Sequence, residues 1–188
     1  MANDEQVAED IQDVLITADQ IRTRIAQLGS ALREDYQGRY LVLVGVLKGA
    51  VMFMVDLARA TDLPLEIDFM AVSSYGETTE SSGVVRILKD LDTNIENRHV
   101  LIVEDIVDTG LTLRYITGVL MARNPASLRI CTLLKKLKKR KADIRLDYVG
   151  FEIPDRFVVG YGLDFAEQYR NLSFVGTLKS EKQVRRST

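Results

Sequence analysis

The stretch of sequence from residue 100 to residue 113 limits the fold of this chain more than any other. It begins with an apolar run, Val100 to Val103, that is rich in β-branched residues. Such a run is typical of a strand that is buried on both faces, as strands are in parallel sheets covered by helices. Glu104 and Asp105 follow directly, and a polar turn then leads into an apolar segment with helical spacing. The stretch therefore predicts a buried strand, a loop and a helix.

The turn Asp108-Thr109-Gly110 indicates a binding site for an anion. Asp108 or Thr109 could cap the following helix, and Gly110 would let the backbone approach a ligand. The N–H groups of such a loop and of the helix N-terminus point at one place and attract phosphate. Glu104 and Asp105 would suit ribose hydroxyls or hydrated Mg²⁺, which prefer oxygen partners. The alternative is a capped turn with surface acids, but the complete pattern of three acids around one turn favours a site.

Two common phosphate-binding motifs are absent from the sequence. No Gly-Lys-Ser or Gly-Lys-Thr is present, so there is no Walker A loop. Gly160-Tyr161-Gly162 begins like a dinucleotide-binding fingerprint, but Phe165 stands where that fingerprint needs its third glycine.

The remaining sequence alternates between helical and strand patterns, which predicts an α/β fold. Thr17-Ala18-Asp19-Gln20 has the form of a capping box, and apolar residues at helical spacing continue to about Gln37. Further helices are predicted at residues 50–60 and 109–123, and a helical turn at 166–169. A short apolar run covers residues 14–16, and strands are predicted at residues 40–47, 65–71, 84–88, 100–105, 127–134, 148–153, 157–160 and 173–176.

Composition and charge exclude several classes of protein. The 188 residues, 46% hydrophobic and 28% charged, predict a single domain with frayed tails at 1–10 and 179–188. A net charge of −2 gives no overall attraction to nucleic acid or membrane. Cys131 is the only cysteine, which excludes an internal disulfide and fits a reducing compartment. We expect a cytoplasmic protein, because there is no apolar signal core and no apolar run near the ~20 residues that cross a bilayer.

Three polar segments allow more than one interpretation. Lys48 follows an apolar strand, where a lysine either extends to solvent or meets a ligand at the strand's carboxyl end. Residues 73–83 are rich in Ser, Thr and Gly, and the strands on either side favour a long hairpin loop, with the character of a lid, over a linker. The basic run 135–141 is typical of a solvated face, and RNA binding is disfavoured because no aromatic residues interrupt the run.

Residues 103–110, Val-Glu-Asp-Ile-Val-Asp-Thr-Gly, resemble the phosphoribosyl pyrophosphate signature of the type I phosphoribosyltransferases. Leu47-Lys48-Gly49, Ser74-Tyr75 and the stretch 149–164 resemble motifs of the purine-salvage branch of that family, the hypoxanthine (hypoxanthine–guanine) phosphoribosyltransferases. The resemblance extends over residues 10 to 178. It implies a central, mostly parallel sheet flanked by helices, with a small hood and a long flexible loop.

The resemblance also implies a role for each matching residue. Glu104 and Asp105 would face the ribose hydroxyls and Mg²⁺, and Asp164 would bind a second Mg²⁺. Asp108 would be catalytic, acting near N7 of the purine as general base or charge stabiliser. Substrate contacts are implied for the 5′-phosphate (Asp108, Thr109, Gly110, Leu111, Thr112), for the pyrophosphate loop and the mobile loop (Lys48, Gly49, Ser74, Tyr75, Arg170) and for the base (Lys136, Phe157, Val158).

The implied reaction is Mg²⁺-dependent transfer of 5-phosphoribosyl from phosphoribosyl pyrophosphate to N9 of a 6-oxopurine, hypoxanthine or guanine before xanthine, in a homodimer or homotetramer. Lys135 is an alternative to Lys136 for reading the base, although strand alternation allows only one of them. The main rival is a regulator that senses phosphoribosyl pyrophosphate and binds RNA through residues 135–141. Retention of the base-site residues argues against that rival. His99, the lone histidine, receives no role.

Overall fold

The chain is described by a computed structural model over residues 9–74, 85–138 and 142–183. The strands are β1 (Ile11–Ile16), β2 (Leu41–Leu47), β3 (Leu65–Ser74), β4 (Val85–Lys89), β5 (His99–Val107), β6 (Ser127–Lys136), β7 (Tyr148–Ile153) and β8 (Val175–Leu178). The helices are α1 (Ala18–Tyr36), α2 (Val51–Thr61), α3 (Leu111–Met121) and the short α4 (Ser180–Gln183).

A six-stranded sheet in the order β4-β3-β2-β5-β6-β7 forms the centre of the fold. Strand β2 pairs in parallel with β3 and β5, and the parallel pairing continues from β5 to β6 and from β6 to β7. Strand β4 is antiparallel to β3 at the edge. The predicted mostly parallel sheet and the hairpin pairing of β3 with β4 are therefore confirmed. Since parallel strands run in one direction, their carboxyl ends lie along one edge, where ligands bind in such sheets.

Helices cover both faces of this sheet, as the apolar strands predicted. Alternate residues of each central strand point to opposite faces. One set packs with α1 and α2, and it includes Leu41, Leu43, Leu101 and Val103. The other set packs with α3, and it includes Val42, Val44, Val100 and Ile102. Burial on both faces explains why these strands show no alternation of apolar and polar residues.

Helix α1 begins at the predicted capping box. The Thr17 hydroxyl accepts a hydrogen bond from the Gln20 N–H at 3.3 Å, and the Gln20 side chain accepts one from the Thr17 N–H at 2.8 Å. These bonds satisfy N–H groups that have no partner within the helix. The buried face of α1 then packs the helix onto the sheet.

A second, two-stranded sheet pairs β1 with β8 in antiparallel orientation. Two expectations near this sheet are wrong. Residues 157–160 form only isolated bridges, Val159 with Gly176 and Gly160 with Leu163, rather than a strand. Residues 166–169 are not a helical turn, because Ala166, Glu167 and Tyr169 have positive φ angles. The last strand also lies slightly later than predicted, at Val175–Leu178.

The two ends of the described chain meet beside this sheet. The Lys179 N–H donates to the Asp10 carbonyl at 3.0 Å, and Lys182 Nζ lies 2.8 Å from Asp10 Oδ1. The rest of the predicted frayed tails, residues 1–8 and 184–188, lies outside the described residues. Within the described ranges, no helix has the length and apolar character needed to span a membrane.

Candidate active site

The acidic pair Glu104 and Asp105 lies within β5, which continues for two residues past the predicted end, to Val107. The Ile106 N–H donates to Asp105 Oδ1 at 2.8 Å. Glu104 Oε2 is buried and finds no hydrogen-bond partner among the described residues. Burial, together with the neighbouring Asp105 charge, raises the pKa of Glu104 well above its ordinary value. A buried oxygen of this kind is available to a bound ligand or cation.

The loop after β5 borders a cavity at the start of α3, and the cap of that helix differs from the prediction. Gly110, with a φ of +79°, is the N-cap of α3, and neither Asp108 nor Thr109 caps the helix through its side chain. Thr109 Oγ1 accepts only a long bond, 3.4 Å, from the Leu111 N–H. A cavity of about 120 Å³ opens here and is lined by Glu104, Ile106, Val107, Asp108, Thr109, Gly110, Thr112 and Leu113.

Asp108 is part of a four-membered ionic cluster. Its Oδ2 lies 3.0 Å from Lys136 Nζ, and its Oδ1 lies 2.5 Å from Lys138 Nζ. Asp155 Oδ1 lies 3.3 Å from Lys136 Nζ and 3.1 Å from Lys138 Nζ. Burial alone would raise the pKa of Asp108, but the ion pairs with both lysines outweigh it and lower that pKa below the ordinary value. Asp108 is therefore held ionised and is a weak base.

Lys135 points away from this cluster, as strand alternation requires. Its Nζ lies 2.5 Å from Glu152 Oε1 on the neighbouring strand. Lys136 is the lysine at the carboxyl edge of the sheet, and its side chain is only 12% exposed. The described part of the basic run is thus paired with acids rather than forming a free solvated face, and residues 139–141 lie outside the described residues.

The loop after β2 brings its backbone against the acidic pair. The Leu47–Lys48 peptide is cis. A Cβ built on Gly49 would lie 1.7 Å from Asp105 Oδ2, so only glycine leaves room for that carboxylate. On its other side the Gly49 carbonyl oxygen lies against Gly162, where an added Cβ would come within 2.0 Å of it. The strand-end loop is therefore clamped between Asp105 and Gly162.

A second ionic cluster lies beside this loop. Arg170 pairs with Asp164 Oδ1 at 2.9 Å and donates to the Gly162 carbonyl at 2.7 Å. Glu167 Oε2 lies 2.9 Å from Lys48 Nζ and 3.4 Å from Arg170. The Arg170 Nε is buried without a partner in the described chain. Two cations here could face an anion, with Glu167 as their present counter-charge.

Phe157 is not a core residue. It is 47% exposed and meets Phe165 edge to face, with ring centroids 5.7 Å apart. Val158, next to it, is buried and anchors the segment in the core. An exposed ring on an anchored segment can offer its face to a flat ligand.

The structure does not describe the side chains of two predicted site residues, Ser74 and Tyr75. Ser74 ends β3 in backbone pairing with Val85, and its side chain lies outside the described atoms. Tyr75 and nearly all of the predicted lid, 73–83, fall in the segment 75–84, outside the described residues.

Sequence reasoning missed three residues of these clusters: Lys138, Asp155 and Glu167. Lys138 is one of several cations in the basic run, and Asp155 lies in the stretch 149–164 without a role of its own. Glu167 has a φ of 64°, and its contact with Lys48 spans 119 positions of the chain. An asparagine or glycine would have signalled such a backbone, whereas a glutamate does not.

The oxygen donors fit a hard cation such as Mg²⁺ better than a soft one. Glu104 Oε2 supplies the unsatisfied buried acceptor that a bound cation would use. No three His, Cys, Asp or Glu side chains converge on one point in the ranges that the structure describes. A cation at Glu104 and Asp105 would therefore need further oxygens from a ligand or water, and Asp164 is paired with Arg170.

Comparisons with known proteins agree with this geometry. The model of the phosphoribosyl transferase domain family matches residues 14–166. The chain is 58% identical over 175 residues to the hypoxanthine-guanine phosphoribosyltransferase of Mycobacterium tuberculosis, covering 90% of this chain and 87% of the relative. It is 54% identical over 170 residues to the Bacillus subtilis protein of that name, covering 90% and 94%. A crystal structure of hypoxanthine phosphoribosyltransferase from Staphylococcus aureus superposes with a TM-score of 0.91 at 55% identity, covering 94% and 96%.

Proposed function

The chain belongs to the phosphoribosyl transferase family, and on that premise we propose that it salvages purine bases. It transfers 5-phosphoribosyl from phosphoribosyl pyrophosphate to N9 of hypoxanthine and guanine, giving IMP and GMP and releasing pyrophosphate. The observation that carries this proposal is the 54–58% identity, over nine tenths of the chain, to hypoxanthine-guanine phosphoribosyltransferases. The clusters at the sheet's carboxyl edge support it, because they offer a partner for each part of both substrates.

The base would lie between Phe157 and the cluster of Asp108 and Lys136. Lys136 has an ammonium that can only donate, so it suits the 6-oxo acceptor of hypoxanthine and guanine. Asp108 is held ionised by two lysines, and this favours charge stabilisation at N7 over proton abstraction. The exposed face of Phe157 would stack on the purine ring. The backbone of Val158 would meet its Watson–Crick edge.

The phosphoribosyl group would lie along the cavity that begins at Glu104. The 5′-phosphate would accept hydrogen bonds from the loop from Asp108 to Thr112, where α3 begins. The carboxylates of Glu104 and Asp105 would hold the ribose hydroxyls. Fixing phosphate and ribose at separate points orients C1 of the sugar towards N9 of the base. Such positioning lowers the activation barrier, because the two reacting atoms no longer lose translational and rotational freedom during the reaction.

The pyrophosphate would leave towards Arg170 and Lys48. Both cations lie at the clamped loop and already share Glu167 as a counter-charge. Donors fixed where negative charge develops stabilise the leaving group without reorganising during the reaction. Glu104 and Asp105 would hold one Mg²⁺ and Asp164 a second, and the bound ions would supply further neutralisation of the pyrophosphate charge.

We further propose a cytoplasmic location and a homo-oligomeric state. Cys131 is buried, and its burial raises the pKa of the thiol, which keeps it unreactive in a reducing compartment. Light scattering during size-exclusion chromatography would measure the mass of the assembly against the 21.2 kDa chain. A mass equal to one chain would contradict the oligomer.

The purified protein tests the proposed reaction directly. It is incubated with phosphoribosyl pyrophosphate, Mg²⁺ and hypoxanthine, guanine or xanthine separately, and the nucleotides formed are identified by mass spectrometry. We expect IMP and GMP, with xanthine used least. Excess EDTA should stop the reaction, and added Mg²⁺ should restore it. Absence of IMP and GMP under all conditions would refute the proposal, and unchanged activity in EDTA would refute the metal requirement.

A further inference from the structure

Lys138 has a position that the proposed reaction leaves unexplained. It lies two residues beyond the end of β6, where its side chain is 30% exposed. Its Nζ contacts Asp108 Oδ1 at 2.5 Å and Asp155 Oδ1 at 3.1 Å. A solvated lysine of a basic run would not converge on two acids at the edge of the sheet. This position favours a function for Lys138 within the candidate site.

Each oxygen of Asp108 lies in an ion pair with a different lysine. Lys136 contacts Oδ2 at 3.0 Å, and Lys138 contacts Oδ1 at 2.5 Å. An ammonium group has three donors, and Lys136 Nζ already lies 3.0 Å from Asp108 Oδ2 and 3.3 Å from Asp155 Oδ1. When Lys136 turns to a 6-oxo group, its hold on Asp108 must weaken. Lys138 then remains as the cation that faces Asp108.

We propose that Lys138 is a positioning residue that keeps Asp108 oriented and ionised while Lys136 reads the base. This inference rests on the proposed function, because it assumes that Lys136 donates to the purine. It divides one task between two lysines whose ammonium groups both lie beside Asp108 and Asp155. A protein with Lys136 alone would force that ammonium to choose between Asp108 and the base.

The charges around Asp108 support this division. Among the described residues, Lys136 and Lys138 pair with it, Asp155 pairs with both lysines, and Glu104 lines the same cavity. Burial opposes the charged form of Asp108, and the ion pairs with the two lysines reverse that effect and lower the pKa. Asp155 is shared by both lysines and balances the second positive charge. Losing either lysine should therefore raise the pKa of Asp108.

The test uses Lys138→Met in the full-length protein, because methionine keeps much of the apolar stem and removes the charge. Carbon-13 NMR follows the titration of the Asp108 carboxyl, assigned by its absence in Asp108→Asn. We expect the pKa of Asp108 to rise by about one unit in Lys138→Met. Lys138→Arg should restore a value near that of the native protein. The matched control, Lys135→Met, loses a lysine that pairs with Glu152 on the other face, and it should leave the titration unchanged.

Steady-state kinetics supply the second readout. In Lys138→Met the KM for hypoxanthine should rise about tenfold, because Lys136 is drawn back to Asp108. The KM for phosphoribosyl pyrophosphate should change much less. Lys138→Arg should recover the native KM for the base. Circular dichroism melting curves establish that each variant is folded before it is compared.

Each outcome decides the inference. An unchanged Asp108 titration in folded Lys138→Met would overturn it, as would an equal shift in Lys135→Met. If Lys138→Met were inactive at every pH, the NMR titration of Asp108 would still show whether Lys138 keeps that carboxyl ionised. If the native protein formed no nucleotide, the proposed function would fail while the link between Lys138 and Asp108 could still be measured. Nucleotide formation with no shift in Asp108 would overturn only the role of Lys138.

Discussion

Gly49→Ala adds one methyl group at the point where the loop after β2 touches the acidic pair. The new Cβ would lie 1.7 Å from Asp105 Oδ2 and 2.6 Å from its Cγ. Contacts below 3.0 Å essentially never occur for a real Cβ, so the two groups must separate by at least ~1.3 Å. The loop cannot easily retreat, because Gly162 closes on the Gly49 carbonyl from the other side. The displacement should therefore fall largely on Asp105.

The size of the effect follows from that displacement. Misplacing a substrate-positioning group by ~1 Å can lower the rate about a hundredfold, equivalent to about 2.7 kcal/mol of transition-state stabilisation. We expect kcat/KM for phosphoribosyl pyrophosphate to fall by about that factor in Gly49→Ala, because Asp105 is assigned to the ribose and Mg²⁺. The concentration of Mg²⁺ needed for half-maximal activity should rise as well.

Gly118→Ala is the matched control. Its new Cβ would meet nothing within 4 Å, and Gly118 lies inside α3. Replacing a helical glycine by alanine should stabilise the fold by roughly 0.5–1 kcal/mol, seen as a melting temperature about 1–4 °C higher, with native activity. Both variants are compared by circular dichroism melting and by steady-state kinetics across Mg²⁺ concentrations. A folded Gly49→Ala protein with native kcat/KM and native Mg²⁺ dependence would refute the placement of Asp105 in the site.

Three further predictions concern single carboxylates and the base-reading lysine. Asp108→Asn keeps the shape but loses the charge, and kcat with hypoxanthine should fall by about 10²–10⁴; near-native kcat would exclude Asp108 from the chemistry. Lys136→Ala should abolish most of kcat/KM for hypoxanthine while Lys135→Ala leaves it nearly native, and the reverse pattern would move the base site by one residue. Asp68 is buried and accepts three backbone N–H bonds, which outweigh burial and lower its pKa. Asp68→Asn should cost about 1–3 kcal/mol in the free energy of unfolding at pH 7. That deficit should shrink as the pH falls below ~4, where the native carboxylate loses its advantage on protonation; a deficit independent of pH in denaturant titrations would contradict the assignment.

The central sheet could be predicted from sequence because its signals are local. Strands β2 and β5 are apolar throughout, and the capping box at Thr17 marks the start of α1. The two-stranded sheet could not be found in this way. Strand β1 carries only three consecutive apolar residues and pairs with β8, more than 150 positions away in the sequence. Neither segment has a pattern of apolar and polar residues that would indicate its distant partner.

The acidic pair and the glycine loop were recognisable in the sequence because they are contiguous with the strand that presents them. The ionic partners of these residues were not recognisable. The contacts of Lys138 with Asp108 and Asp155 exist only in the folded chain, where the segment after β6 lies beside Asp155. The sequence leaves the choice between Lys135 and Lys136 open. In the structure Lys135 pairs with Glu152 while Lys136 faces Asp108, and this favours Lys136 as the proposed base-reading residue.

The most direct test of the account is the ratio of kcat/KM for hypoxanthine to kcat/KM for adenine, measured at saturating phosphoribosyl pyrophosphate and Mg²⁺. Adenine replaces the 6-oxo acceptor by an amino donor, which would leave the Lys136 ammonium, 12% exposed, without its partner on the base. Sites built around one hydrogen-bonding group can reject an analogue that lacks it by about 10⁴-fold or more. We predict a ratio of that order. Comparable values for the two bases would contradict a site in which Lys136 reads a 6-oxopurine.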